Sequence, residues 1–200
     1  VNDAVYGGYA SAAAGTPGEG GAAGETVSTA DNNKVTINNT NVTNGVYGGY
    51  SSNGSADGNS VTISGGSFNN KNISGGYVNS GTGSASSNTV SVDAGTTANI
   101  ANVYGGYTAG SGASSSNDVT IANGTIGGSV YGGRTATGTA ENNTVNWREG
   151  DITGGLYGGS GSTTNNNTLN MYASGKNVTN LGGFENYNFY LSNDFSPETD

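Results

Sequence analysis

The chain has 200 residues, of which 38 are Gly, 32% are hydrophobic and only 10% are charged. So few apolar side chains cannot fill a thick, roughly spherical core, but the content of Tyr, Val, Ile and Thr favours strands over disorder. A net charge of −9 argues against a nucleic-acid partner. The absence of Cys and His excludes disulfides, thiol chemistry and histidine-based metal sites or triads. Since no apolar run approaches about 18 residues, we do not expect the chain itself to be embedded in a membrane.

A Tyr followed by two Gly recurs along the chain, starting with VYGGYA at Val5. The Gly pairs begin at Gly7, Gly48, Gly75, Gly105, Gly132, Gly158 and Gly182, with steps of 24 to 30 residues after a first step of 41. Residues 10–31 form the longest insertion, which is rich in Gly and contains Pro17. This composition predicts a surface loop.

A second marker, Asn-x-apolar-x-apolar, runs in phase with the Gly pairs. Its six copies start at Asn33, Asn59, Asn88, Asn117, Asn143 and Asn167. This alternation of apolar and polar residues predicts a strand with one buried and one solvent-exposed face. We expect the leading Asn residues to form an internal amide ladder or a turn cap at a corner of the fold.

Repeats of this length, each with two or three short strands, cannot bury their apolar faces alone but can do so when stacked. The sequence therefore predicts an all-β fold, a parallel β-helix (β-solenoid) of about seven coils of 24–30 residues, with variable loops on one side. We assign residues 1–183 to this repeat domain. The general chirality of parallel crossovers predicts a right-handed coil.

Stacking would align the Tyr residues into two columns. The Tyr before each Gly pair should form the first column, which is interrupted by Ser74. The Gly pair itself should turn the chain sharply, at a position where a positive φ or close backbone approach excludes a Cβ. The second follows the Gly pair, and its candidate ligand-binding residues are Tyr9, Tyr50, Tyr77, Tyr107 and Arg134. Such a row could hold sugar rings or a protein partner. Alternatively, the rings only seal the corners of the coils.

Residues 184–200 change in character, with several aromatic residues and no Asn-led strand. Because open solenoid ends must be covered, this segment is predicted to be a cap or the junction to a following domain.

Paired carboxylates are the only catalytic option that this composition leaves, as in a polysaccharide-cleaving β-helix. Asp118, Glu141, Glu149 and Asp151 fall loosely together in coils four to six, but acidic residues have no fixed place in the repeat. We interpret them as solvated loop charges. The sequence thus predicts no catalytic residue, no metal, no cofactor and no enzymatic activity.

With VYGGY and N-x-V-x-I in register, the chain resembles the repeat regions of bacterial autotransporter passengers of the adhesin type, and FENYNFYL resembles the segment after those repeats. The resemblance implies a right-handed β-helix and secretion across the outer membrane. It also implies an extracellular location at the bacterial cell surface, anchored through a C-terminal barrel outside this sequence.

We therefore expect a non-enzymatic β-solenoid segment that acts as an adhesin stalk or binding scaffold. Its partner would be a protein or glycan of a host or bacterial surface, recognised by the loops that follow the Gly pairs. An extracellular structural protein that self-associates end to end is the main alternative. A polysaccharide-degrading enzyme is a third.

Overall fold

A computed structural model of the chain describes residues 3–11, 28–95 and 99–191. Their regular structure consists of strands, and they contain no helix that could cross a membrane. The eighteen strands are β1 (Val5–Ala10), β2 (Lys34–Asn38), β3 (Val46–Ser51), β4 (Ser60–Ser64), β5 (Lys71–Val78), β6 (Thr89–Asp93), β7 (Ile100–Thr108), β8 (Asp118–Asn123), β9 (Thr125–Ile126), β10 (Val130–Thr135), β11 (Thr139–Glu141), β12 (Thr144–Trp147), β13 (Asp151–Ile152), β14 (Gly155–Ser160), β15 (Thr163–Asn165), β16 (Thr168–Met171), β17 (Asn180–Gly182) and β18 (Asn186–Phe189).

The strands form two long sheets in which each strand pairs in parallel with its equivalent in the next coil. The main path of the first sheet is β1-β3-β5-β7-β10-β14-β17, with the short β9 and β13 beside it. The second sheet has the order β18-β16-β12-β8-β6-β4-β2, and β11 and β15 form a small third sheet. Parallel neighbours that are not consecutive in the chain need a crossover connection between them. Here that connection passes through the other sheet, so the chain forms a coil. The predicted all-β parallel solenoid is confirmed.

The solenoid has about five turns where the sequence predicted seven. These five run from Val46 through Ile73, Val103, Val130 and Leu156 to Leu181. Val5 is in register with Val46, but the coil between them includes residues outside the described ranges and is not counted. Each turn takes 25 to 30 residues. In the first coil, residues 12–27 of the predicted 10–31 loop lie outside the described residues, and Ala10 is the last residue of β1. The hand of the coil stays a prediction.

A thin, largely aliphatic core runs along the inside of the coils. Val35, Val61, Val90, Val119 and Val145 are in register across the second sheet and are buried. The apolar position after each Asn-led strand adds further buried side chains, of which Phe68 is the largest that is fully buried. The single internal file of Val residues confirms that successive coils stack flat on one another.

The leading Asn residues form the predicted amide ladder at one corner. Asn59 Oδ1 accepts two hydrogen bonds from Asn33, one from its main-chain N–H at 2.9 Å and one from Nδ2 at 3.0 Å. The same pair of bonds recurs at every step to Asn167. Because the ladder residues after Asn33 are nearly or fully buried, the ladder satisfies polar groups that would otherwise cost free energy.

The residue just before each ladder Asn has a positive φ. The six are Asn32, Gly58, Ser87, Ser116, Asn142 and Asn166, with φ between 54° and 66°. One left-handed residue turns the chain sharply at this corner, which explains why Asn and Gly are frequent there. The two Ser residues adopt this conformation at a cost that Gly would avoid.

The Gly pair differs from the expected sharp turn. Gly48 and Gly49 lie inside the continuous strand β3, and neither has a positive φ. Close approach is the reason for Gly, because a Cβ on Gly48 would meet the Gly75 carbonyl oxygen and one on Gly49 would meet that of Ala30. In a regular strand, successive residues alternate between the inner and the outer face. At the pair this alternation is interrupted, because both Gly residues are buried, and both flanking Tyr side chains therefore lie on the outer face.

Candidate functional site

Two columns of side chains cover the outer face of the first sheet, and we call this surface the tyrosine face. The first column comprises Tyr6, Tyr47, Ser74, Tyr104, Tyr131 and Tyr157. The second comprises Tyr9, Tyr50, Tyr77, Tyr107, Arg134 and Ser160. The structure therefore brings all five sequence-predicted ligand-binding residues into one row.

The first column is a stack with one gap. Tyr131 lies between two rings, with centroids 5.3 Å from Tyr104 and 4.9 Å from Tyr157 and planes within 13° of parallel. The gap is at Ser74, which is buried and whose hydroxyl has no hydrogen-bond partner within the described residues. Tyr77 of the second column partly covers this gap, because its ring packs edge-on against Tyr47 at 5.5 Å.

The second column is also stacked, and it locks edge-on into the first. Tyr50 has Tyr9 on one side and Tyr77 on the other, each with a centroid distance of 5.1 Å. Tyr50 also meets Tyr47 edge-on at 5.6 Å with planes at 84°. Contacts of both kinds are favourable arrangements for aromatic rings. Together they join the rings from Tyr6 to Tyr157 into one continuous surface.

The stacking determines which atoms a partner can reach. A ring inside a column, such as Tyr50 or Tyr131, has a neighbouring ring against each face. A partner would therefore meet ring edges and phenol hydroxyls, repeated about once per coil. The exposed ring faces lie at the column end, where Tyr9 is 60% exposed. Sequence analysis predicted the rows but could not give the direction of the ring planes.

Partial burial changes the acidity of these phenols. It raises the pKa of Tyr77 to about 12, with neighbouring Tyr107 and Tyr50 acting in the same direction. Burial likewise raises the pKa of Tyr47, Tyr50 and Tyr104 above the usual range. At Tyr104 the Arg134 guanidinium opposes this effect. These four phenols thus stay protonated at neutral pH, and their hydroxyls remain hydrogen-bond donors.

Arg134 replaces a ring in the second column. Its guanidinium carbon lies 5.3 Å from the ring centre of Tyr107 and 5.2 Å from that of Tyr131, which are cation–π distances. Its Nη1 also lies 3.5 Å from the Tyr104 hydroxyl, which the Arg side chain donates to. The cation is held in place by three aromatic side chains.

The outer face of the second sheet has a different chemistry. Its outward positions carry Thr, Ser and Asn, as at Thr36, Thr62, Ser91, Thr120, Asn146 and Asn170. Part of this row is a half-buried amide ladder, in which Asn170 Nδ2 donates to Asn146 Oδ1 at 2.8 Å. The aromatic residues of the repeat are therefore concentrated on one face of the solenoid.

The acidic residues that fall together in the sequence are separated in the structure. Asp118 lies on the second sheet and accepts a hydrogen bond from Asn146, while burial raises the pKa of its carboxyl. Glu141 ends β11 in the third sheet. Only Glu149 and Asp151 share a site, since both line a cavity of about 300 Å³ at the turns of coils four to six.

This cavity has mixed charge. Asp151 forms an ion pair with Lys176 at 2.8 Å, and the Arg148 guanidinium lies 4.9 Å from the ring of Tyr172. Two of the four charged side chains at the cavity are thus paired with each other. No cluster of three acidic side chains that could hold a metal ion occurs in the described part of the chain.

Comparisons of the chain with protein-family models, with curated proteins and with solved structures found no match. The function therefore has to be argued from the geometry of the tyrosine face.

Proposed function

We propose that the chain is a non-enzymatic segment of an extracellular bacterial surface protein, in which a rigid β-solenoid presents the tyrosine face to a partner. The observation that carries this proposal is the concentration of aromatic side chains on one outer face. Tyr6 and Tyr9 are exposed, Tyr104 is buried and the other rings are half-buried, so that the face offers a contiguous row of ring edges. Contiguous aromatic surface is typical of binding sites.

The solenoid does not need these rings to fill its core. The interior is occupied by aliphatic side chains such as Val46 and Val103, which point inward next to the outward Tyr residues. The opposite sheet is covered by Thr, Ser and Asn and still stacks in register. Small polar residues would therefore suffice on the first sheet too, and the Tyr residues require another reason.

Rigidity suits such a surface for recognition. Tyr side chains offer a large contact area at a low conformational-entropy cost, and stacking in columns reduces that cost further. The loops that follow the Gly pairs, such as residues 79–84 and 109–113, come directly after strands of the second column in the sequence and would extend the contact. An autotransporter passenger of the adhesin type would use this arrangement at the outer surface of a bacterium.

Binding of the purified chain to glycan arrays and to intact bacterial and host cells tests this proposal. The test variant is Tyr50→Ala combined with Tyr107→Ala, and the control is Tyr172→Ala, an exposed Tyr away from the face. We expect the double variant to lose binding by about tenfold or more and the control to retain it, because the few residues that dominate an interface are enriched in Tyr and contribute about 2 kcal/mol or more each. Equal binding by all three folded proteins would overturn the proposal.

End-to-end self-association is the second candidate, and the C-terminal strand favours it. All four residues of β18 are exposed, and Phe189 and Leu191 are both 62% exposed at this end of the second sheet. Exposed apolar edge strands pair readily with other strands. Sedimentation at increasing concentration separates the candidates, since a strictly monomeric species at high concentration excludes filaments.

A further inference from the structure

The side chains of the second column become smaller at its C-terminal end. After four Tyr residues the column continues with Arg134 and then with Ser160, whose side chain is far smaller. The neighbouring Tyr157 does not fill the space, because the tip of its ring lies over Gly155, where a Cβ would come within 2.6 Å of its hydroxyl. The neighbour of Arg134 on this side of the column is therefore the small Ser160 side chain, and no ring contact with the guanidinium is found on that side among the described residues.

Arg134 is ordered but electrically unpaired. Tyr104, Tyr107 and Tyr131 hold the guanidinium in place, yet none of them neutralises it. No carboxylate lies within ion-pair distance of Arg134 in residues 3–11, 28–95 and 99–191, where the ion pair that does form is Lys176–Asp151. A guanidinium has five N–H donors, and the described contacts of Arg134 use one, toward Tyr104.

The tyrosine face around Arg134 is positively charged, whereas the whole molecule is negatively charged. The chain carries −9 overall, but between Tyr47 and Ser160 the two columns contain no acidic side chain and one cation. A polyanion would be repelled by the rest of the protein. A ligand with one carboxylate could place it at Arg134 and its uncharged remainder on the face.

We propose that Arg134 and Ser160 bind the carboxylate of an acidic sugar, a uronic acid unit within a glycan, whose uncharged units lie along the phenol hydroxyls of the columns. This inference rests on the proposed function of the tyrosine face. The guanidinium suits a carboxylate because its planar donors can form two parallel charge-assisted hydrogen bonds, and the Ser160 hydroxyl can donate a third.

The surroundings favour a glycan over a peptide. A peptide adds readily to a sheet through free main-chain groups at an edge, but β10 is paired with β7 on one side and β14 on the other. The main-chain N–H of Arg134 also already donates to Ser114 Oγ at 3.1 Å. What remains accessible is a row of hydroxyl groups, which matches the hydroxyl-rich surface of a sugar chain.

Two disaccharides that differ in one group provide the test. Cellobiouronic acid carries a carboxylate where cellobiose has a hydroxymethyl group, and NMR titration of the chain measures both dissociation constants. We expect the acid to bind about tenfold tighter or more, as for a hydrogen-bonded charge pair. Arg134→Gln should remove this difference, Arg134→Lys should retain part of it, and the control Arg148→Gln should leave it unchanged.

The inference is overturned if the two disaccharides bind equally or not at all, or if folded Arg134→Gln still prefers the acid. The assignment of an acidic sugar as the ligand is also overturned if an acetylated peptide with one free carboxylate binds as tightly as cellobiouronic acid. Loss of cell or array binding in the Tyr50→Ala and Tyr107→Ala double variant, with Arg134→Gln unaffected, would retain the tyrosine face as a binding surface and remove only the acidic-sugar site.

Discussion

The carboxylate of Glu185 accepts a hydrogen bond from the main-chain N–H of Asn167, with 2.8 Å between Oε2 and N. Glu185 directly precedes Asn186, which is in register with Thr168, so it lies at the next position of the amide ladder. The ladder thus ends on a carboxylate, and the described part of the 184–200 segment continues the second sheet as β18 instead of leaving it.

Removing one member from the middle of this ladder should destabilise the solenoid strongly. Asn117→Ala leaves the main-chain N–H and the Nδ2 group of Asn88 without their acceptor. Each buried unsatisfied donor costs about 1–3 kcal/mol, so we expect the two to lower the free energy of unfolding, measured in urea, by about 2–6 kcal/mol. Asn146→Ala, in the half-buried ladder on the outer face of the second sheet, is the control and should cost about 1 kcal/mol or less, because its partners can bond to water instead.

Much of this architecture could be predicted because the repeat keeps the same residue types at the same positions. The Val file and the Asn ladder follow directly from six Asn-led copies in register. The Glu185 position could not be found in this way, because a different amino acid performs the role there. The strand through Gly48 and Gly49 was also missed, since Gly tolerates both a turn and a tight approach and the letters do not distinguish them.

The geometry of the tyrosine face could likewise be predicted only in part. Register alone predicted the two columns, including the interruption at Ser74. The edge-on contacts between columns could not be predicted, because Tyr47 and Tyr50 are three residues apart and would lie on opposite faces of a regular strand. They depend on the shift at the Gly pair. The exposure of hydroxyls instead of ring faces follows from that geometry.

Close packing at the Gly pair predicts a large difference between two single substitutions. Gly105→Ala places a Cβ against the Gly132 carbonyl oxygen in β10 and against the Asn117 side chain in the ladder, so that either the sheet or the ladder must shift. Gly127→Ala meets its nearest atom, the Ile100 carbonyl oxygen, at an ordinary 3.5 Å. We expect Gly105→Ala to lower the melting temperature markedly and Gly127→Ala to leave it nearly unchanged. Similar melting temperatures for both would contradict the packing described at the pair.

A stabilising substitution is expected at the Asn corner. Ser116 has a φ of 58°, a conformation that costs an L-residue about 1–2 kcal/mol and glycine very little. Ser116→Gly should therefore raise the free energy of unfolding by about 1 kcal/mol, less the backbone entropy that Gly adds to the unfolded chain. Ser64→Gly, in an extended strand, should lower it. A loss at both positions would show that the corner is not left-handed.

Alkaline pH should weaken the fold through Tyr77. Its pKa is about 12 in the folded chain and about 10 when unfolded. Between these values the folded state holds more protons, so stability is unchanged below about pH 10 and falls as the pH rises towards 12. Urea midpoints across this range measure the effect. Tyr77→Phe keeps the ring but does not titrate, so its midpoint should fall less, and an identical fall would assign the effect to other groups.

The location of the binding surface is the central claim, and amide chemical-shift mapping tests it most directly. The measurement uses the first glycan or cell-surface protein that binds the chain in the array and cell assays. We predict that the shifts concentrate in the first sheet, at residues 46–51, 73–78, 103–108 and 130–135. Shifts confined to the Thr- and Asn-covered second sheet, or to the cavity at Arg148 and Tyr172, would contradict the account.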